Sequence, residues 1–243
     1  HQDLVTASQN PIASLISIPF QFNFFLGNGE YDRTQYVLNV EPVIPAKISE
    51  NWNMINRIII PIQIQPDLNS ETGQTFGVGA INYTAFFSPK PIGKTSYGFG
   101  PSLIIPTTTS PELGNGRFAV GPSVVLFSSI GKWTLGFVAA QNWGYYKASS
   151  EEIPQNSFFT QYFINYNLPK GWTIGTGPTI TVNWNAEKDQ KAVVPFGLSV
   201  SHVHMFRNQG IKGSLAYYYN AVRPDLGAKG GQIQFTLSFL FPE

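Results

Sequence analysis

Four side chains near residue 200 have the types that a hydrolase needs. In the stretch "LSVSHVH", Ser199 and Ser201 come just before His202 and His204. A serine nucleophile requires a base within hydrogen-bond reach and a third group that orients this base. No third group is evident here, and no nearby carboxylate completes a metal site with the two histidines. The sequence therefore predicts no catalytic residues, no metal site and no cofactor, and a hydrolase is the weakest functional alternative.

Glu41 and Arg57 are a second pair with chemical potential. They flank the short turn "SENW" at similar distances, so we expect them to be neighbours across two paired strands. They are the only charged residues deep inside the predicted strands. Two interpretations stay open: a structural ion pair, or a constriction that selects solutes in a lumen.

The elements that carry these residues alternate apolar and polar positions. The closing stretch "GGQIQFTLSFLFPE" places on one face Ile233, Phe235, Leu237, Phe239 and Phe241, and on the other Gln232, Gln234, Thr236 and Ser238. Segments of about ten residues repeat this period of two between turn residues. They are 14–25, 34–48, 52–65, 77–87, 95–107, 118–128, 133–145, 157–168, 172–184, 192–204, 213–222 and 231–241. Because a tilted strand crosses a bilayer in about 9 to 11 residues, we predict one antiparallel transmembrane β-barrel of about 12 strands over residues 14–243.

The composition agrees with a membrane barrel. Charged residues make up 12% of the chain, about half of the roughly 25% in typical soluble domains. No apolar run approaches the roughly 18 residues of a spanning helix, which excludes a helical membrane protein. A net charge of +1 argues against a nucleic-acid partner.

Connections between the predicted strands alternate between short turns such as "LPKGW" and longer loops such as "TTTSPELGNGR". Outer-membrane barrels have short periplasmic turns and longer extracellular loops. This pattern predicts a bacterial outer-membrane location and places residues 1–13 on the periplasmic side, as a free segment or as a plug. The longer loops contain most acidic residues, including Glu151 and Glu152, and the short turns contain Lys47, Lys90, Lys94, Lys132, Lys170, Arg207 and Lys212.

One face of the predicted strands is apolar, and the other consists of Gly, Ser, Thr, Asn and Gln. The apolar face suits lipid and lipopolysaccharide, and the polar face suits a water-containing lumen. Twelve strands leave a narrow lumen, since eight are filled by side chains and sixteen leave a channel. The predicted lumen-facing aromatic residues are Phe86, Phe159, Phe163 and Tyr218. The last strand also predicts recognition by the barrel-insertion machinery, with Pro242 and Glu243 after its final Phe.

Several prolines interrupt the predicted strands, where they cannot donate a ladder hydrogen bond. Three follow a glycine: Pro101, Pro122 and Pro178. We predict bulges or kinks at these steps, with the first two close together across their hairpin.

Several stretches resemble a known family. They are "NPIASLISIPFQFN", "YDRTQYVLNVEPVIPAKISENWNMINRIIIPI", "FSPKPIGKTSYGFGPSLIIPTTTSPELGNGRFAVGPSVV", "INYNLPKGWTIGTGPTITVNW" and "YYYNAVRPDLGAKGGQIQFTLSFLFP". They are similar to outer-membrane proteins grouped near the meta-pathway phenol-degradation family, sometimes labelled neuromedin-U-like. The resemblance implies a barrel that acts as a transporter and no catalytic residues. We expect a narrow channel or transporter for small solutes, aromatic or amphipathic ones among them, and the alternative is a non-transporting scaffold barrel.

Overall fold

The structure, a computed structural model, describes residues 2–114, 116–144, 155–207 and 209–241. Outside the described residues lie Tyr145, Glu151, Glu152, Pro242 and Glu243. The fold is a closed antiparallel barrel of twelve strands. Three further short strands pair with strands of this ring and are not counted among the twelve. The predicted all-β class and twelve-strand barrel are confirmed.

The strands follow one another around the barrel in chain order. They are β1 (Ile16–Asn28), β2 (Arg33–Val40), β3 (Val43–Lys47), β4 (Trp52–Pro66), β5 (Gln74–Val78), β6 (Ile81–Pro89), β7 (Thr95–Ile105), β8 (Ala119–Ile130), β9 (Trp133–Gly144), β10 (Asn156–Asn167), β11 (Trp172–Thr176), β12 (Thr179–Asn183), β13 (Ala192–Phe206), β14 (Gln209–Val222) and β15 (Gly231–Phe241). β15 pairs with β1 and β9 pairs with β10, which closes the ring. The extra strands β3, β5 and β11 continue the paths of β2, β6 and β12.

Three predicted strands are therefore interrupted. The breaks fall between β2 and β3, β5 and β6, and β11 and β12. Pro42 and Pro178 lie in two of them and lack the N–H that the ladder would use. The register survives the first break, because Val40 pairs with Ile60 and Val43 pairs with Arg57 of the same neighbour. The register is also kept at the third break, where Ile164 pairs with Thr176 and Gln161 pairs with Thr179. At the second break it shifts by one residue, because Ile62 pairs with Val78 whereas Ile59 pairs with Asn82. The inward and outward positions therefore change over between β5 and β6.

The first two glycine–proline steps meet across a hairpin. Pro101 pairs with Pro122 inside a β7–β8 ladder without a register shift. The pairing of β7 with β6 has a gap at this level, because a proline cannot donate to that neighbour. A Cβ atom on Gly100 would lie 1.8 Å from the Ala85 carbonyl oxygen, so the glycine permits a close approach. The predicted proximity is correct. Of the predicted bulges or kinks, a bulge is absent at Pro101 and Pro122 because no residue is inserted, but the ladders to β6 and β9 are interrupted beside them.

Apolar and aromatic side chains cover the outer surface of the barrel. At the end with the short turns, called here the short-turn end, the exposed residues Trp52, Tyr97, Trp133 and Trp172 lie at or near the starts of strands. At the opposite end, called the long-loop end, Trp143 and Trp184 are exposed near strand ends. Such rings of aromatic residues occur where barrels meet the two membrane interfaces.

The segment before β1 lies inside the barrel at the short-turn end. It contains the short helix α1 (Gln2–Ala7). Val5 and Leu15 pack against Val203 and Leu240, which are inward-facing residues of β13 and β15. No helix among the described residues is long and apolar enough to cross a membrane.

Candidate functional site

The long-loop half of the barrel interior contains a cavity of about 760 Å³, called here the upper cavity. Its wall is rich in side-chain amides, including Gln21, Asn23, Gln35, Asn39, Gln161, Asn220, Gln232 and Gln234. Some of these amides hold one another, since Gln232 Nε2 and Gln234 Nε2 donate to Asn23 Oδ1 at 2.7 and 3.0 Å. Lys191 and Arg223 line the cavity near the long loops. The cavity is therefore polar, and its wall is ordered by its own hydrogen bonds.

Glu41 and Arg57 lie between the upper cavity and two smaller ones. Arg57 Nη2 is 3.4 Å from Glu41 Oε2, and the side chains are 13% and 12% exposed. The pairing of Val40 and Val43 with β4 puts Glu41 diagonally across from Arg57, within the reach of long side chains. Glu41 also lines a cavity of about 240 Å³, and Arg57 lines one of about 230 Å³. The pair thus marks the level at which the interior divides.

Below this level the N-terminal segment fills much of the interior. Ile12 is 5% exposed and packs in a cluster with Ile55, Phe86, Val125 and Val138. These four partners project inward from β4, β6, β8 and β9. The segment is therefore packed against several strands of the wall at once.

Hydrogen bonds attach the same segment to other strands. Gln9 Nε2 donates to Asn167 Oδ1 at 2.7 Å and to Thr173 Oγ1 at 3.1 Å. The Thr134 hydroxyl donates to Gln9 Oε1. Asn10 Nδ2 lies 3.4 Å from Ser96 Oγ. Together with Ile12, these bonds fix residues 9–12 across the short-turn half of the interior.

The predicted aromatic residues occupy different levels. Phe159 and Tyr218 line the upper cavity, and Phe163 lines both smaller cavities. Phe86 is fully buried in the cluster around Ile12 and lines none of these three cavities. A solute in the upper cavity would therefore meet Phe159 and Tyr218, whereas Phe86 is covered by the N-terminal segment.

Lys212 was missed as an interior residue. The sequence places it in a short turn at the rim, but β14 begins at Gln209 and carries Lys212 inside the barrel. Its Nζ donates to the Ser8 carbonyl at 3.4 Å, and the side chain lines both smaller cavities. Glu41 and Arg57 are therefore not the only charged residues within the strands. The signal available was the continued alternation of "QGIKGS" before the predicted start at Gly213.

The serine and histidine residues of "LSVSHVH" lie on opposite faces of β13. Ser199 and Ser201 line the 240 Å³ cavity. His202 points outward, with its ring 4.6 Å from the Trp172 ring and its Nε2 3.0 Å from the Lys170 carbonyl oxygen. The histidines of this motif thus face away from its serines, and the motif forms no nucleophile–base pair.

Solved outer-membrane proteins have a similar fold. An outer membrane channel from Pseudomonas putida F1 aligns with a TM-score of 0.65 and 16% identity over 93% of this chain and 94% of the channel. The NanC porin aligns with a TM-score of 0.56 and 11% identity over 94% of this chain and all of the porin. Outer membrane phospholipase A from Escherichia coli aligns with a TM-score of 0.50 and 10% identity over all of this chain and 96% of the enzyme.

The sequence itself matches neither a family model nor a curated protein. At identities of 10–16% the similarity concerns the fold. A channel, a porin and an enzyme share it, so the contents of the barrel interior decide between these functions. The fold is that of bacterial outer-membrane β-barrels.

Proposed function

We propose that this chain is a bacterial outer-membrane channel or transporter for small solutes, aromatic and amphipathic ones included. The observation that carries the proposal is the upper cavity of about 760 Å³, which has the volume of a small-molecule site. Its amides suit polar groups, and Phe159 and Tyr218 offer an apolar surface to an aromatic body. The sequence resemblance to proteins near the meta-pathway phenol-degradation family supports the same class of solute.

The proposal assigns a direction to the barrel. The long loops face the outside and the short turns face the periplasm, as in other outer-membrane barrels. The outer surface then contacts lipid and lipopolysaccharide, and β15 is the strand offered to the barrel-insertion machinery. The upper cavity is then the first part of the solute path from the outside, and Glu41 and Arg57 form the constriction at its lower end.

We further propose that residues 1–13 act as a plug. The packing of Ile12 and the hydrogen bonds of Gln9 support this role, because they attach the segment to strands on different sides of the barrel. A solute that passes the constriction would then require the segment to move. The path through the barrel is therefore restricted by two features, the N-terminal segment and the small diameter of a twelve-strand barrel.

Two other functions compete with the channel. A scaffold barrel would also have a packed interior, but it has no use for a polar cavity of this volume. A hydrolase shares the fold in one solved structure. The outward direction of His202 and the inward direction of Ser201 argue against catalysis by the one motif that suggested it. We therefore propose that the chain is not an enzyme.

Conductance of the purified full-length protein in a planar bilayer tests the proposal. Asn39 lines the upper cavity, and the adjacent Leu38 faces outward on the same strand. We expect Asn39→Trp to reduce the conductance by more than half, whereas the matched control Leu38→Trp leaves it unchanged. Equal effects of the two variants would contradict a path through the cavity. Absence of any conductance, both in the wild type and after release of the N-terminal segment by Ile12→Asp, would favour the scaffold.

A further inference from the structure

The 230 Å³ cavity beneath the constriction, called here the lower chamber, has an unusual charge composition. Arg57 and Lys212 line it, and none of the described residues around it carries a carboxylate. Glu41 contacts Arg57 from the side but lines the upper cavity and the 240 Å³ cavity instead. The lining of the lower chamber therefore has two cations and no carboxylate, and Glu41 balances part of the Arg57 charge from outside it.

Both cations have hydrogen-bond donors to spare. A guanidinium has five N–H donors and an ammonium has three. Among the described residues, Arg57 has a single partner, Glu41 at 3.4 Å. Lys212 has a single partner, the Ser8 carbonyl at 3.4 Å, and forms no ion pair with a described residue. Two largely enclosed cations with long, single contacts are suited to an additional anionic partner.

The remaining lining of the lower chamber is mixed polar and apolar, and residues 7–11 of the N-terminal segment form part of it. Val43, Val138 and Phe163 line it beside the amide groups of Gln161 and Asn165. Pockets for drug-sized ligands measure about 300 to 1,000 Å³, so a chamber of about 230 Å³ takes a smaller molecule. The three apolar side chains suit a ring or a short hydrocarbon body, and the cations suit one negatively charged group.

We propose that the lower chamber is a binding site for a small aromatic monocarboxylate, whose carboxylate lies between Arg57 and Lys212 and whose ring packs against Phe163, Val43 and Val138. The inference rests on the proposed function in one respect, that such a solute reaches the chamber through the barrel interior. Arg57 lines both the upper cavity and the lower chamber, which makes it the residue that passes the anion from one to the other.

Equilibrium binding to the detergent-solubilised full chain tests the site without requiring transport. The probes are benzoate and two molecules with the same ring, neutral benzamide and cationic benzylamine. We expect calorimetry to show that benzoate binds at least about tenfold more tightly than benzamide in terms of Kd. The reason is that the carboxylate gains charge-assisted hydrogen bonds that the amide lacks. Benzylamine should not bind. Equal affinity for benzoate and benzamide would overturn the proposal.

Substitutions locate the site. Lys212→Gln and Arg57→Gln should each weaken benzoate binding by roughly tenfold, because each removes one charged donor. Lys94→Gln removes a lysine from a short turn outside the lumen and should leave the affinity unchanged. Unchanged affinity in Lys212→Gln would place the anion elsewhere and refute the assignment. Where a variant fails to form the barrel, the wild-type comparison of benzoate with benzamide still decides.

The reversal potential in a KCl gradient separates this inference from the channel itself. Anion preference together with a reduced current in millimolar benzoate supports both. Conductance without anion preference and without benzoate binding would overturn the inference and leave the channel standing. Selective benzoate binding by a protein that never conducts would support the site and contradict the channel.

Discussion

Ile12 provides the sharpest test of the plug. The substitution Ile12→Asp places a carboxylate in a cluster formed by Ile55, Phe86, Val125 and Val138, where no partner for the charge is present among the cluster residues. Truncation of a buried isoleucine to alanine already costs about 2 to 5 kcal/mol. A buried, unpaired charge costs more than that. We therefore expect the docked segment to lose at least about 2 to 5 kcal/mol relative to the released one.

This free energy converts into a large change of population. At about 1.4 kcal/mol per factor of ten, the equilibrium between docked and released segment shifts by roughly 30- to 4,000-fold. Single-channel recordings should then show a higher open probability, and hydrogen exchange should become faster in the amides of residues 2–15. The control is Ile92→Asp in a short turn, where the side chain is 71% exposed and the same substitution removes no packing.

Two results would refute the reasoning in different ways. Unchanged hydrogen exchange in Ile12→Asp would show that Ile12 does not hold the segment in place. Faster exchange with an unchanged open probability would show that the segment leaves without opening a path. The second result would contradict the role of the segment as a plug, but it would still support the packing of Ile12 against the barrel wall.

Three further predictions concern the wall and the constriction. Arg57→Ala should lower the free energy of unfolding by about 1 to 3 kcal/mol, between the values for exposed and buried pairs. The double variant with Glu41→Ala should recover part of this loss. Urea titrations that show no coupling between the two substitutions would contradict a direct interaction. Gly100→Ala should lower the free energy of unfolding by about 1 to 3 kcal/mol, because its Cβ would meet the Ala85 carbonyl. The control Gly213→Ala should be tolerated, because nothing lies within 4 Å of the added Cβ. Equal yields of folded protein from the two variants would contradict the close approach at Gly100. The protein should require detergent and show heat-modifiable migration on gels, and a monodisperse sample without detergent would contradict the lipid-facing surface.

The barrel itself could be predicted from the sequence, because two different environments impose a period of two. Ile233 and Phe235 face outward and Gln232 and Gln234 face inward, as the alternation predicts. The ends of strands were harder to locate. β14 begins at Gln209, earlier than the predicted Gly213. A polar residue is acceptable at an inward position of a wet barrel, so polarity does not mark the end of a strand.

The interior contacts were only partly predictable. Glu41 and Arg57 were paired from their distances to one turn, because neighbouring strands convert a distance along the chain into a distance in space. No such rule applies to the packing of Ile12 in the cluster that contains Phe86. Residues 9–15 have no periodic pattern, so their position depends on side chains from several distant strands. Lys212 has a similar contact to Ser8 in the N-terminal segment, and the sequence places it at the rim because the predicted strand begins at Gly213, whereas β14 begins at Gln209.

The ladder between β1 and β15 has a consequence for the rate of folding. Asn23 accepts hydrogen bonds from Gln232 and Gln234, which are 209 and 211 residues further along the chain. Contacts of such separation form late, since the entropy of closing the loop is lost before the contact contributes. Until closure, β1 and β15 each have a row of unpaired backbone groups that can pair with another chain. We expect ring closure to be the slow step, and the half-assembled barrel to be the species most prone to aggregation.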